Sequence, residues 1–214
     1  EVCQRMALDE SLWYTPGFDP SLFPDIYAHE YSRIYTLLLE KEPYGALLQI
    51  KDFYEILLKF PVLAILSLWV SQQTFDNLSQ ANKEIIYKIL SEKLSLGKWV
   101  EIARAILTIQ EKKILDVPEK HLLSILRTVY DLYDLHKIVH WRNNNIGHGS
   151  LGTIEDESFQ LNLENQLRNI KEHLSGSKTT TLYSQVKIFQ EEHNWMIKID
   201  DTCFYINPFM YIEN

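Results

Sequence analysis

The chain of 214 residues is 46% hydrophobic and 23% charged, ordinary values for a globular protein that exclude disordered, collagen-like and coiled-coil classes. Its 21 Lys and Arg against 29 Asp and Glu give a net charge of −8. This balance argues against a surface that coats nucleic acid non-specifically, although it permits a local basic cleft. Cys3 and Cys203 lie at opposite ends and offer neither a disulfide framework nor a zinc-binding spacing, so a cytoplasmic location is expected.

The N-terminus and the most apolar segment carry no sign of export or membrane insertion. Residues 1–5 lack the charged-then-apolar pattern of a secretory signal. The most apolar run, 60–70, is shorter than the ~20 residues that a membrane-spanning helix needs, so a buried core helix is expected and no membrane contact. The chain begins without Met and stops abruptly after 208–214, which predicts a fragment of a larger protein.

Residues 21–175 are predicted to form one helical domain, preceded by an N-terminal helical segment over 1–20. Apolar residues recur there at helical intervals. Because proline lacks the backbone donor that a helix interior uses, Pro61 is expected to end or kink the helix that Pro43 opens. The predicted helices span 22–41, 43–61, 61–73, 82–94, 97–112, 116–145 and 155–174.

The helix over 116–145 has the clearest start signal. Asp116 suits an N-cap, Pro118 suits a first turn, and Glu119 follows three residues after the cap. The helix is predicted to run to about Asn145. A cluster of glycines then predicts a break between residues 145 and 152.

The pattern changes after the Ser-Gly-Ser segment 175–177. Strand-forming residues then predict strands over 182–189, 195–199 and 203–206. The region 178–214 is therefore predicted to be a small antiparallel β-meander, either packed on the helices or the start of a truncated second domain. The expected fold class is mainly α, with this meander at the C-terminus.

The end of the long helix carries the strongest functional motif, Trp-Arg-Asn-Asn-Asn-Ile-Gly-His-Gly over 141–149. If the helix breaks near Gly147, His148 can turn back towards Arg142. An imidazole can move protons and a guanidinium can hold phosphoryl charge, which suits phosphodiester cleavage. The alternative is that Arg142 and His148 are simply cations near a helix C-terminus, where the helix dipole favours them.

This segment resembles the signature of the HEPN superfamily, many of whose members are metal-independent ribonucleases. Arg142 matches the signature arginine, Asn143 the polar residue after it, and His148 the histidine after five intervening residues. The resemblance implies a HEPN-like helical bundle and RNA cleavage through attack of the 2′-hydroxyl. It assigns phosphoryl stabilisation to Arg142, proton transfer to His148 and an orienting role to Asn143.

The resemblance also implies partners and a biological setting. HEPN domains typically form homodimers in which two motifs face one cleft, and two copies of Arg142 would make a positive slot on an acidic protein. Toxin–antitoxin and antiphage systems are the implied context, with an antitoxin or regulatory domain as a further partner. The competing hypothesis is a non-catalytic dimerisation or interaction module within a larger multidomain defence protein.

A narrow polar seam runs along the otherwise apolar helix before Pro61. Asp52, Glu55 and Lys59 fall on one side of that helix, and Gln49 extends the seam. Glu55-x-x-x-Lys59 resembles an acidic-to-basic motif on an earlier helix of some HEPN ribonucleases, where it lies near the Arg/His motif and supports it. The alternative is an ordinary intrahelical ion pair.

His136 and His140 have the spacing of two zinc ligands on one helical face, or of a plain surface pair. No third ligand follows at a telling distance, so the pair is not assigned to a metal site. Gly-rich phosphate loops and the H-E-x-x-H and G-x-S-x-G motifs are also absent from the sequence, so neither a cofactor nor a metal is expected.

Overall fold

The computed structural model describes residues 20–72, 75–110, 116–147, 157–192 and 194–206. In these ranges eight α-helices precede three β-strands, so the predicted fold class, mainly α with a C-terminal meander, is confirmed. The helices are α1 (Asp25–Leu39), α2 (Pro43–Gln72), α3 (Gln80–Ser91), α4 (Leu96–Gln110), α5 (Val117–Leu135), α6 (Ile138–Arg142), α7 (Glu157–Ser175) and α8 (Ser177–Ser184). The strands are β1 (Val186–Glu191), β2 (Asn194–Ile199) and β3 (Thr202–Tyr205). The predicted N-terminal segment and Cys3 lie outside the described residues.

The central element is α2, against which α1, α4, α5, α7 and β3 all pack. Our expectation of separate helices before and after Pro61 was wrong, because α2 runs through that proline for 30 residues. A proline inside a helix costs about 3 kcal/mol. Full burial of Leu57, Leu58, Ile65 and Leu66 around it contributes about 1.5–3 kcal/mol each, which outweighs that cost.

The length and composition of α2 would also suit a membrane span. However, 72% of its most apolar 18-residue window is buried inside the protein. Such burial is typical of the core helix of a soluble protein.

The start of α5 agrees with the sequence prediction, but its end does not. At its start the Asp116 carboxylate accepts a hydrogen bond from the Glu119 backbone N–H at 2.9 Å, so the predicted N-cap is confirmed. At its end the predicted continuation to Asn145 was wrong. The chain breaks at Lys137, which adopts a left-handed backbone with φ of 50°, and α6 starts again at the buried Ile138.

The segment predicted to begin the first strand is instead helical. Residues 177–184 form α8, which buries Thr179 and Tyr183 on one face, one turn apart. The Thr180 hydroxyl donates to the Gly176 carbonyl at 3.1 Å, so this β-branched residue bonds back within the helical turn. Burial of that face overrides the strand preference of the threonines.

The C-terminal sheet is the predicted antiparallel meander, in the order β1–β2–β3. Its inner face belongs to the same hydrophobic cluster as the helices, through Ile197, Ile199 and Phe204. The Ser67 hydroxyl of α2 donates to the Ile206 carbonyl at 2.7 Å, directly after β3. The sheet therefore packs on the helical core, and the exposed Cys203 carries a free thiol.

Candidate functional site

The Arg-Asn start of the motif lies at the far end of α6, in a segment that we call the corner (residues 138–147). The left-handed Lys137 redirects the chain, and five helical residues bring it to Arg142. A π-helical turn over Asn143–Gly147 follows. Trp141 anchors this segment, because it is buried and its ring centroid lies 5.7 Å from that of Tyr54 on α2.

The Arg142 guanidinium is half-buried and only partly satisfied. Its Nη1 donates to the Asn143 Oδ1 at 3.2 Å. Its Nε is buried and has no hydrogen-bond partner in the described parts of the chain. A buried donor without a partner is uncommon in folded proteins and calls for an explanation.

Further asparagine side chains hold the corner in shape. Asn162 on α7 accepts from the Trp141 indole N–H at 2.7 Å through its Oδ1. Its Nδ2 donates to the Asn145 Oδ1 at 3.0 Å, while the Asn145 Nδ2 donates to the Trp141 carbonyl at 2.9 Å. The corner is thus clamped to α7 at two points. Sequence reasoning missed Asn162, since no local pattern marks a residue that reaches the motif from another helix.

His148 lies outside the described residues, so its predicted approach to Arg142 stays a prediction. The described chain leaves the helix through the π-turn that ends at Gly147. The expected break covers residues 145–152. The π-turn starts at Asn143, so only its last three residues fall within that range.

The predicted supporting residues lie together on α2. The Lys59 Nζ is 2.6 Å from the Glu55 Oε2, and Lys51 lies 3.9 Å from Glu55 and also pairs with Asp52. The Lys59 Nζ also lies 5.9 Å from the ring centroid of Trp99 on α4. The Lys59 end of the seam therefore faces α4.

Glu55 also acts on α5. Burial, and then the negative charge of Glu55, raise the pKa of Tyr133. The Tyr133 hydroxyl donates to the Tyr54 carbonyl at 2.6 Å, which places this part of α5 against α2. Within the described residues, Glu55 forms no ion pair with Arg142, and Lys59 is paired with Glu55 instead. Whether they reach His148 stays a prediction.

The two candidate zinc ligands do not share one helix. His136 caps the end of α5, whereas His140 lies in α6 beyond the break. The His140 Nε2 is 2.8 Å from the Asn144 Nδ2. Over the described ranges, no group of three His, Cys, Asp or Glu side chains could hold a metal ion.

An open cleft of about 380 Å³ adjoins the corner, between α4, α5 and α6. Asn143 lines it, so the cleft and the motif share a residue. The other lining residues are Val100, Arg104, Tyr130, Tyr133, Asp134, Lys137, Val139 and His140.

Comparisons with protein-family models, curated proteins and solved structures found no match for this chain.

Proposed function

We propose that this chain is a metal-independent endoribonuclease whose site consists of Arg142, Asn143 and His148. The observation that supports this most is the environment of the Arg142 guanidinium. This group is oriented by Asn143, and its buried Nε has no partner among the described residues. A positive group held in place by a neighbouring side chain suits the charge that develops on a phosphoryl group during cleavage.

The proposed reaction uses the RNA's own 2′-hydroxyl. His148 takes the proton of that hydroxyl, and the O2′ oxygen attacks the adjacent phosphorus. The P–O2′ bond forms while the P–O5′ bond breaks, which leaves a 2′,3′-cyclic phosphate and a 5′-hydroxyl. The leaving O5′ takes up one proton, so the step is balanced without a metal.

A homodimer would complete this site. On a chain with net charge −8, a single Arg142 makes a weak site for a polyanion. A two-fold arrangement would bring two corners together, and the partner subunit's His148 would supply the proton to the leaving oxygen. Asp52, Glu55 and Lys59 are proposed to support the site from α2. A toxin or antiphage effector in the cytoplasm, controlled by an antitoxin or regulatory domain, is the proposed setting.

The test is RNA cleavage in the presence of EDTA by wild type, Arg142→Ala and His148→Ala. A general acid–base group typically contributes about 10²–10⁴-fold, so His148→Ala should lose activity on that scale. A charge-stabilising donor contributes about 10²–10³-fold, so Arg142→Ala should lose activity on that scale. Arg33→Ala and His29→Ala are matched controls, because both side chains are exposed on α1, and both should remain active. An active His148→Ala enzyme would discard the assignment.

The supporting role of α2 needs a separate variant. Glu55→Gln keeps the shape of the side chain and removes its charge. If Glu55 acts only as an ion-pair partner of Lys59, this change should alter stability by about 0.3–0.5 kcal/mol and leave cleavage unchanged. A loss of cleavage at unchanged stability would show that it supports the catalytic residues.

One observation favours the competing interaction module. Tyr87 and Leu90 lie three residues apart on α3, with 58% and 64% of their surface exposed. Such an apolar patch suits contact with another chain and needs no catalysis. If wild type is inert towards every RNA tested, this second function replaces the first.

A further inference from the structure

The cleft between α4, α5 and α6 carries a charge that differs from that of the whole chain. Arg104 and Lys137 line it with fixed positive charges, and Asp134 is the carboxylate among its lining residues. Counted over Arg, Lys, Asp and Glu alone, the lining therefore sums to +1, against −8 for the chain. Glu101, which also acts on Arg104, lies 3.7 Å from Lys88 and so has a cation of its own.

Arg104 is held in a fixed position on one side of the cleft. Its Nε donates to the Tyr130 hydroxyl at 2.7 Å, and its guanidinium carbon lies 5.8 Å from the ring centroid of Tyr130. This contact uses the Nε donor and directs the terminal nitrogens elsewhere. Terminal guanidinium nitrogens are the groups that bind phosphate in a bidentate manner.

Lys137 faces the same cleft from a strained backbone position. Its φ of 50° and ψ of 44° are left-handed, a conformation that glycine or asparagine adopts more easily. Strained residues of this kind cluster at binding sites, where the side chain matters more than the local backbone energy. The Lys137 Nζ lies 3.3 Å from Asp134 at the exposed rim, where the pair remains open to competition.

Asn143 connects the cleft to the corner. Its side chain lines the cleft, and its Oδ1 accepts from the Arg142 Nη1 at 3.2 Å. A strand whose scissile phosphate lies on Arg142 would therefore run past Asn143 into the cleft.

We infer that this cleft is a phosphate subsite for the RNA strand, in which Arg104 and Lys137 bind a backbone phosphate next to the one that is cleaved. The inference deepens the proposed function and rests on it. It concerns binding, however, so it can be tested without cleavage.

The experiment measures binding of a labelled single-stranded RNA by fluorescence anisotropy, with all variants made in a His148→Ala background. Lys137→Gly removes the cation and relieves the left-handed strain at the same time. It should weaken binding about 5–10-fold while raising Tm by about 2–4 °C. The slope of log affinity against log salt should become shallower by about 0.7. A side chain with a merely structural role would not combine higher stability with weaker binding.

Lys41→Gly is a closely matched control. Lys41 is also an exposed lysine with positive φ, 63°, but it lies between α1 and α2 and does not line the cleft. This variant should gain similar thermal stability and keep its RNA affinity. Arg104→Gln should weaken binding as Lys137→Gly does, and Asp134→Asn should strengthen it about 2–5-fold. Asparagine also tolerates the left-handed backbone, so Lys137→Asn tests removal of the charge with a second side chain.

The outcomes separate this inference from the proposed function. Unchanged affinity in Lys137→Gly, or an equal loss in Lys41→Gly, would overturn the subsite, and so would a wild type that binds no RNA. If wild type cleaves RNA and the cleft substitutions leave binding unchanged in the His148→Ala background and cleavage unchanged in the wild-type background, the function stands and the subsite fails. If RNA binding depends on the cleft but no cleavage occurs, the subsite stands and the ribonuclease proposal fails.

Discussion

The α2 helix and the corner are stabilised in opposite ways. Along α2 nearly every side faces apolar neighbours, and Leu47, Ile50 and Phe53 are fully buried. Among the corner residues whose burial the structure describes, Ile138 and Trp141 are buried, and amide hydrogen bonds tie the segment to α7. Apolar packing is non-directional, so α2 absorbs an internal proline. The side-chain amide hydrogen bonds of the corner are directional, so they set the position of Arg142 while adding little to global stability.

This difference predicts that stability and activity can be changed independently. Variants in α2 should alter the free energy of unfolding and leave the folded site intact. Variants that loosen the corner should alter the site far more than the fold.

The largest effect on stability is expected from Phe53→Ala in the middle of α2. Phe53 is fully buried, and its ring packs against those of Tyr27 and Tyr31 at centroid distances of 6.3 and 6.2 Å. Removing such a ring leaves a cavity and should lower the free energy of unfolding by about 3–5 kcal/mol. Urea unfolding measures this, and Leu48→Ala, at a half-exposed position of the same helix, should cost much less. Loss of RNA cleavage in the still-folded Phe53→Ala protein would contradict the separation.

The same contrast explains which parts of the fold could be predicted from sequence. The helix start at Asp116 was predictable because an N-cap is a local contact between residues three apart. The break at Lys137 was not, because the residues around it contain neither Gly nor Pro. What decides it is the return of Ile138 to the core, which depends on distant helices. Pro61 and α8 were misjudged for the same reason, since burial overrode local preference.

The candidate site was predictable only in its local part. Arg142 and Asn143 follow from the motif, and their contact is local. Asn162, which clamps the corner, is 21 residues from Trp141 along the chain, and the cleft residue Arg104 comes from a different helix. Sequence patterns show residues on one element, but they do not show which elements meet.

An intermediate effect is expected from His173, a titratable group whose Nε2 is buried without a partner among the described residues. Burial, and then the charge of His136, lower the pKa of His173 from about 6.5 to about 4. The unfolded chain binds this proton more readily than the folded one, so stability falls as the pH drops from about 6.5 towards 4. The loss should reach about 2 kcal/mol by pH 5.

Urea unfolding at pH 7 and pH 5 measures this loss. His173→Phe keeps the ring contact with Tyr183, 6.5 Å between centroids in wild type, and removes the titrating nitrogen. This variant should lose clearly less stability between the two pH values than wild type does. An identical loss in both proteins would assign the acid sensitivity to other groups. His29→Ala, at an exposed histidine, should behave as wild type.

The smallest effect on stability, and the sharpest test of the separation, is expected from Asn162→Ala. This change removes the acceptor of the Trp141 indole and the donor to Asn145, two hydrogen bonds that are partly exposed. Because both bonds are partly exposed, each should contribute about 0.5–1 kcal/mol, so their loss should lower the free energy of unfolding by about 1–2 kcal/mol. If the corner positions a catalytic Arg142, RNA cleavage should nevertheless fall at least 10-fold, because small displacements of a catalytic group are costly.

Two further variants identify which bond matters. Asn162→Asp keeps an acceptor for Trp141 but has no donor for Asn145, so it isolates the clamp on the π-turn. Asn77→Ala, at an exposed asparagine outside the corner, controls for loss of an amide side chain. It should change neither the free energy of unfolding nor RNA cleavage. If Asn162→Asp cleaves RNA like wild type while Asn162→Ala does not, the anchor on Trp141 alone positions Arg142. If both cleave normally, the shape of the corner does not govern the chemistry, and the ribonuclease proposal loses its structural basis.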